Sequence, residues 1–180
     1  MAKPGSIVGV ISLGGLGHMA VKLLNAIAAS VVVLSSTDHK RQKAMDLHAS
    51  KYINYNSPED MKKIQGSLDL VIDTCPVAPS ETLSKFIDSL KFGGTDVRVG
   101  IPSNNADAFG YNFIPLVFTY KASKGSIVCG SKNTKSMLHI AGNQKIVSDV
   151  EVVPFDQINQ VMEKLRSGNY EAPRYVLSRK

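Results

Sequence analysis

Apolar residues fall along this chain in two alternating rhythms: short β-branched runs, and longer stretches in which they recur at helical spacing. Ile7-Val8-Gly9-Val10-Ile11-Ser12-Leu13 is a run of the first kind, short and apolar on both faces, as a strand buried in a parallel sheet must be. Leu16, Met19, Ala20, Leu23, Leu24 and Ile27 then mark one apolar face of an amphipathic helix. The alternation continues with strands predicted at residues 30–34, 51–54, 68–73 and 95–99 and helices at 39–47, 58–65 and 80–90. Thr37 or Asp38 can cap the helix at 39–47. Beyond it the rhythm loosens into a loop at 101–111, a short helix at 112–120, a brief strand at 125–128 and a helix at 134–142. A strand at 150–153, a helix at 155–166 with Ile158, Val161, Met162 and Leu165 on one face, and a strand at 175–177 complete the chain. Gly168 stands where that helix should end, since a helix terminus favours a residue tolerant of positive φ.

Regular strand-helix alternation predicts an α/β fold, a doubly wound parallel sheet of Rossmann type with right-handed crossovers and a C-terminal strand-helix-strand appendage. The expected division is a dinucleotide-binding domain over residues 1–145 and the appendage over 146–180. Between the first strand and first helix lies Gly14-Gly15-Leu16-Gly17. A helix N-terminus leaves amides unpaired and carries partial positive charge, so a pyrophosphate lying across it meets both. In the fingerprint G-x-G-x-x-G the three glycines make the tight turn, admit the pyrophosphate and let helix pack on strand. Those positions here are Ser12, Gly14 and Gly17, so the first glycine is missing.

The end of the second strand selects between dinucleotides, because an acidic residue there binds the ribose hydroxyls of NAD and repels the 2′-phosphate of NADP. Position 36 is Ser, flanked by Ser35 and Thr37, and Lys40 and Arg41 follow one helical turn on, able to reach back as cations. This pattern favours NADP(H). Two alternatives stand beside it: Asp38 meeting the ribose, which would favour NAD, or a plain turn and helix cap with solvated lysines.

Composition narrows the classes further. A chain of 180 residues, 43% hydrophobic, can bury a substantial core as one domain with an appendage. The formal net charge of +6 could mean affinity for nucleic acid, but Lys and Arg are scattered rather than gathered on one face, and a polyanionic small ligand explains the excess equally well. Cys75 and Cys129 are too few for a disulfide framework and have no metal spacing, which predicts a reducing compartment, by default the cytoplasm. Met1-Ala2-Lys3-Pro4-Gly5 leads into the first strand without a signal-peptide apolar region, and no run is long enough to span a bilayer, so no membrane partner is expected.

Residues 14–23, Gly-Gly-Leu-Gly-His-Met-Ala-Val-Lys-Leu, followed by Ser35-Ser36 and Lys40-Arg41, resemble the cofactor domain of zinc-dependent medium-chain alcohol dehydrogenases of the cinnamyl alcohol dehydrogenase type. Residues 69–76, Leu90-Lys91 with Gly94-Thr95, Val99-Gly100, Gly125-Ser126, and Ile158-Asn159 through Arg174-Tyr175-Val176 match the same family in order, so the likeness covers nearly the whole chain. The resemblance implies NADP(H) as cofactor and reversible hydride transfer between an aldehyde and an alcohol. It assigns Gly14, Gly15 and Leu16, with Gly17 behind them, to the pyrophosphate, and Ser35, Ser36 and Lys40 to the 2′-phosphate. Thr74, Val99, Gly100, Ser126, Ile127 and Val128 would lie beside the path from adenosine to nicotinamide. The segment from about Ile146 resembles the return of the chain to the family's catalytic domain.

The family's catalytic zinc ligands, proton relay and four-cysteine structural site belong to an N-terminal domain outside this match, so zinc is expected only there. No catalytic or metal-binding residue is assigned within the chain, which is expected to be inactive without that domain; alcohol or aldehyde would bind only with it. His18, His39, His48 and His139 lack paired spacing. His18 is expected near the phosphate in the first helical turn, or on the surface. Cys75 reads as a small apolar residue at a strand end. Within the domain, Ser12, Ala28 and His48 replace family glycines, at a cost wherever φ must be positive. Asp96 and Arg98 interrupt a strand that should be buried. Ser123 and Lys124 replace an apolar strand that pairs subunits, which leaves a homodimer open and lets Lys124 guard an edge. The competing readings are a stand-alone, non-catalytic dinucleotide-binding module and, less favoured, a nucleic-acid binder.

Overall fold

The computed structural model describes residues 2–75, 80–100, 114–167 and 174–179. The loop expected at 101–111, the first residues of the helix expected at 112–120, Pro76 of the family match and Gly168 as helix terminator lie outside the described residues. Strands β1 (Ile7–Ile11), β2 (Ser30–Ser35), β3 (Lys51–Asn54), β4 (Leu68–Asp73), β5 (Leu90–Arg98) and β6 (Ala122–Gly125) form one sheet in the order β3-β2-β1-β4-β5-β6. Every pairing in it is parallel. The helices between them are α1 (Gly15–Ala26), α2 (Arg41–Asp46), α3 (Pro58–Lys62), α4 (Ser80–Ser89) and α5 (Ile114–Phe118), and α6 (Ser131–Asn143) follows β6. This is the doubly wound α/β architecture that the alternation predicts, with the order of connection reversing between β1 and β4. β7 (Glu151–Pro154) and β8 (Tyr175–Ser178) pair in a separate two-stranded parallel sheet, joined through a 3-10 turn (Phe155–Gln157) and α7 (Ile158–Ser167).

Both faces of the sheet are apolar because alternate strand residues point to opposite sides. Val8, Val10, Val31 and Val33 pack with Val21, Leu24 and Ala44 on one face. Ile11, Val32, Leu34, Ile53, Leu68 and Val71 pack with Leu83, Phe86 and Ile87 on the other. Cys75 is partly buried against this second cluster, as a small apolar residue at a strand end. The strand expected at 125–128 is displaced to Ala122–Gly125. Pairing with β5 ends at Arg98↔Gly125, so Ser126, Ile127 and Val128 run past the sheet. β5 in turn begins at Leu90 rather than at residue 95, with a register shift between Leu68 and Leu70.

The three replaced glycines do carry the strained conformation: φ is +71° at Ser12, +56° at Ala28 and +62° at His48. Ala28 and His48 follow α1 and α2, whose chains turn back through bonds from Ala29 N to Leu24 O (3.1 Å) and from Ala49 N to Ala44 O (3.0 Å). The same closure follows α5 and α6, where Tyr120 and Lys145 have φ of +53° and Lys121 N and Ile146 N return to Leu116 O and Ala141 O. This motif favours glycine at the left-handed position. Four helices therefore end with a β-carbon where a glycine would be unstrained.

Asp96 and Arg98 are accommodated as a set. Asp96 is 1% exposed and faces Ser123 across the β5-β6 pairing, whose hydroxyl donates to it at 2.9 Å. Arg98 lies opposite Asp73, 3.6 Å from its carboxylate, with Nε 3.5 Å from Asp96. The geometry is loose, leaving Asp96 Oδ1 and Arg98 Nε without hydrogen-bond partners among the described residues. Burial pushes both carboxyls above the usual range.

His18 is neither on the surface nor open to a phosphate. It is fully buried, with Nε2 2.7 Å from Asp149 Oδ2 and neither ring nitrogen in a well-aligned hydrogen bond. One turn on, Lys22 donates to Asp149 at 2.6 Å and to the Val147 carbonyl at 2.9 Å. α1 is thereby tied to the segment following α6. Burial lowers the imidazole pKa, with Lys22 and Lys43 acting in the same direction against Asp149.

Three outcomes follow from these contacts. Ala28→Gly should raise unfolding free energy by roughly 0.5–1 kcal/mol, the left-handed penalty less the added freedom of the unfolded chain; a lower urea midpoint would contradict this. Arg98→Leu should cost about 3–5 kcal/mol by stranding buried carboxylates, whereas Asp96→Leu/Arg98→Leu/Ser123→Val together should recover most of the loss. Equal midpoints for the single variant and the parent chain would refute the network. Because folded His18 has the lower pKa, the unfolded chain binds its proton first on acidification. Stability should then fall as pH drops below about 6.5 towards the folded value. His18→Gln should flatten that slope in urea titrations at several pH values.

Candidate functional site

The reversal between β1 and β4 opens a crevice at the carboxyl ends of the strands, where doubly wound sheets hold their ligands. Gly14 caps α1 in an extended conformation, and the first helical bond runs from His18 N to Gly14 O at 2.9 Å. The amides of Gly15, Leu16 and Gly17 therefore have no intrahelical carbonyl to bind, and no acidic residue stands in the first turn. A β-carbon at Gly17 would lie 2.0 Å from the Ser12 carbonyl oxygen and 3.2 Å from Thr74 Oγ1. Only glycine lets the helix sit this close to the strand end. Thr74, buried, donates to Ile11 O at 2.7 Å and so ties the end of β4 to that of β1.

Val99 and Gly100 are drawn to the same edge by bonds from their amides to Asp73 O at 2.9 and 3.1 Å. Gly100 presses on the chain after β4, since a β-carbon there would meet Cys75 O at 2.3 Å. Leu16 is half-exposed at the mouth of the crevice. Ser126 is anchored to Arg98 O at 2.8 Å, but Ile127 and Val128 are each 90% exposed, having passed the last paired residue of β5. Gly14 to Gly17, Thr74, Val99 and Gly100 thus converge on one crevice, with Ser126 to Val128 at its uncovered end.

Arg174 is a residue to which sequence reading gave no role. It precedes β8, yet its guanidinium lies against the glycine loop: a β-carbon on Gly15 would be 1.8 Å from Arg174 Nη1. In sequence it is one arginine near the end of a basic chain, about 160 residues from the loop. Only the folding-back of the appendage brings the two together.

The second corner of the crevice is the turn after β2. Ser35 is buried at the strand end, Ser36 is exposed and Lys40 is half-buried, its ammonium pKa lowered by that burial. Tyr55 N donates to Ser35 O and Asn56 Nδ2 to Ser36 O, both at 2.9 Å, while the Tyr52 hydroxyl donates to Thr37 O. Arg41 reaches back to this turn, and it does so onto the carboxylate of Asp38. Its guanidinium pairs with Asp38, donates to Tyr52 O at 3.3 Å and lies 4.9 Å over the Tyr52 ring. Asp38 is held by Arg41 and by Asn54 Nδ2 at 3.2 Å.

Among the described residues no three His, Cys, Asp or Glu side chains gather closely enough to hold a metal ion. Nor is any helix among them long and apolar enough to cross a membrane.

Comparison with known proteins identifies the family. The model of the zinc-binding dehydrogenase family matches residues 15–143. A probable mannitol dehydrogenase of Mesembryanthemum crystallinum is 38% identical over 168 residues, 93% of this chain and 45% of the relative. Cinnamyl alcohol dehydrogenase 7 of Arabidopsis thaliana is 38% identical over 176 residues, 97% of this chain and 48% of its own. Among solved structures, a cinnamyl alcohol dehydrogenase from Sorghum bicolor superposes with a TM-score of 0.89 at 31% identity, covering 98% of this chain and 48% of that one. The Helicobacter pylori enzyme solved in complex with NADP(H) gives 0.82 at 26% identity, with 98% and 48% covered. The chain thus spans about half the length of the relatives it matches. With residues 15–143 matched by its model, the chain belongs to the zinc-binding dehydrogenase family, as the resemblance to the cinnamyl alcohol dehydrogenases implied.

Proposed function

We propose that this chain is the NADP(H)-binding portion of an alcohol dehydrogenase or aldehyde reductase, and that residues 1–145 form the dinucleotide domain with 146–180 leading to a zinc-bearing catalytic domain. The observation that carries the reading is the glycine loop at the switch point, where Gly17 is jammed against Ser12 and the Arg174 guanidinium covers Gly15. Unpaired amides and a guanidinium converging on one loop suit a pyrophosphate, which needs hydrogen-bond donors and positive charge together.

In this reading the amides of Gly15 and Leu16, the extended Gly14 and Arg174 hold the pyrophosphate, while Gly17 sets their approach. Ser35 and Ser36 offer hydroxyls, and Lys40 a charge, to a 2′-phosphate. Val99, Gly100, Ser126, Ile127 and Val128 flank the nicotinamide end. Thr74 spends its hydroxyl on Ile11 O, so it shapes the crevice floor. The bound nicotinamide supplies or accepts the hydride exchanged with an alcohol or aldehyde. Zinc chemistry and substrate contacts fall to the other domain, so these residues alone should show no turnover. The Helicobacter pylori relative, solved with NADP(H), supports the choice of cofactor.

Titration of the purified chain with NADPH and NADH, followed by nicotinamide fluorescence, tests this. Saturable binding with NADPH the tighter ligand is expected. Lys40→Ala should weaken NADPH by about 1.5–3 kcal/mol, roughly tenfold or more, and leave NADH within about twofold. Arg174→Ala should weaken both alike, because both carry the pyrophosphate. Equal weakening of the two by Lys40→Ala would remove the 2′-phosphate assignment.

A further inference from the structure

The turn after β2 carries two opposed chemistries. Ser35, Ser36 and Lys40 suit a phosphomonoester, but Asp38 stands two residues beyond Ser36, and a free carboxylate at this strand end repels a 2′-phosphate and attracts ribose hydroxyls. The structure shows both Asp38 oxygens engaged, Oδ1 by the Arg41 guanidinium and Oδ2 by Asn54 Nδ2 at 3.2 Å. Arg41 is itself fixed by the Tyr52 carbonyl at 3.3 Å, by the Tyr52 ring and by Asp60 at 3.8 Å. Asn54 is fixed too: its amide donates to Asp60 at 3.2 Å and its side-chain oxygen accepts from Asn56 N at 3.0 Å. The tail of β3 thus grips the turn residue by residue, and the grip on Asp38 is the part that bears on charge.

We propose that Arg41 and Asn54 are cofactor-selectivity residues: by occupying both oxygens of Asp38 and neutralising its charge, they make a turn that contains a carboxylate acceptable to a phosphorylated ribose. This rests on the NADP(H) reading above. Arg41 acts through Asp38 and does not touch the phosphate. The Arg41 hydrogen bond, followed by that of Asn54, holds the Asp38 carboxyl below its usual range, so the charge to be neutralised is present at neutral pH. The pair is solvent-exposed, with Arg41 49% and Asp38 61% accessible, so its effect belongs to the local field at the turn rather than to global stability.

A double-variant cycle separates this from a direct Arg41-phosphate contact. Dissociation constants for NADPH and NADH would be measured by nicotinamide fluorescence on the full chain and on Arg41→Gln, Asp38→Asn, Asp38→Asn/Arg41→Gln and Asn54→Ala, with circular dichroism checking each fold. Arg41→Gln and Asn54→Ala should each lower the preference for NADPH over NADH by about threefold to tenfold, less at high salt. Asp38→Asn/Arg41→Gln should return it to the parent value, since no carboxylate remains to be neutralised. If the double variant stays as low as Arg41→Gln, Arg41 acts on the phosphate itself and the proposal is overturned. An unchanged preference in both Arg41→Gln and Asn54→Ala overturns it as well. Failure of the parent chain to bind either nucleotide would instead sink the NADP(H) reading on which the proposal stands.

Discussion

The candidate site depends on the tight approach of Gly17 to the Ser12 carbonyl, where a β-carbon would lie 2.0 Å from the oxygen. α1 meets the end of β1 at a distance that admits no β-carbon, which plants the helix N-terminus in the crevice between β1 and β4. Thr74 reinforces the same point from β4, bonding to Ile11 O and lying beside Gly17. Ser12 bears the cost, since its φ is +71°. A side chain at the first fingerprint position therefore costs stability.

An exchange of stability for a polar feature also runs across β4, β5 and β6. Asp73, Asp96, Arg98 and Ser123 replace what would be an apolar layer with a buried, loosely paired set. Each member is costly alone and tolerable only with the others, because the penalty lies in leaving a buried charge unpaired. Lys124 sits on β6 with an exposed side chain beside this set. Charge on an edge strand opposes pairing with a second sheet. The polar set and the charged edge thus reinforce each other in a region where an apolar strand would invite association.

The sheet was legible in the sequence because its information is local. Runs rich in apolar residues mark β1, β2 and β4, and the short segment Lys51–Asn54 marks β3, all to within a residue or two, and glycines announce the first helix. β6 was misplaced because Ile127 and Val128 look like strand residues, whereas pairing stops where β5 stops. Of the strained helix ends, those at Ala28 and His48 were visible as departures from glycine, and those at Tyr120 and Lys145 were not. Arg174, the burial of His18 and the diversion of Arg41 were not visible, since each depends on a contact made after folding. His18 was expected near a phosphate or on the surface, whereas it is buried with its Nε2 against Asp149, 131 positions later in the chain.

These long-range contacts change the meaning of the C-terminal segment. α1 is gripped from two directions by residues beyond 145: Asp149 holds His18 and Lys22 in its first two turns, and Arg174 lies on Gly15 at its tip. The N-terminal end of the helix therefore takes its lateral support and part of its positive field from the appendage rather than from the sheet alone. A boundary drawn at residue 145 divides the chain by topology, since β7 and β8 pair only with each other among the described strands. It does not divide the site. Any change that shifts the appendage, including the docking of a further domain against it, would move Arg174 relative to the loop and alter the charge that a pyrophosphate meets there.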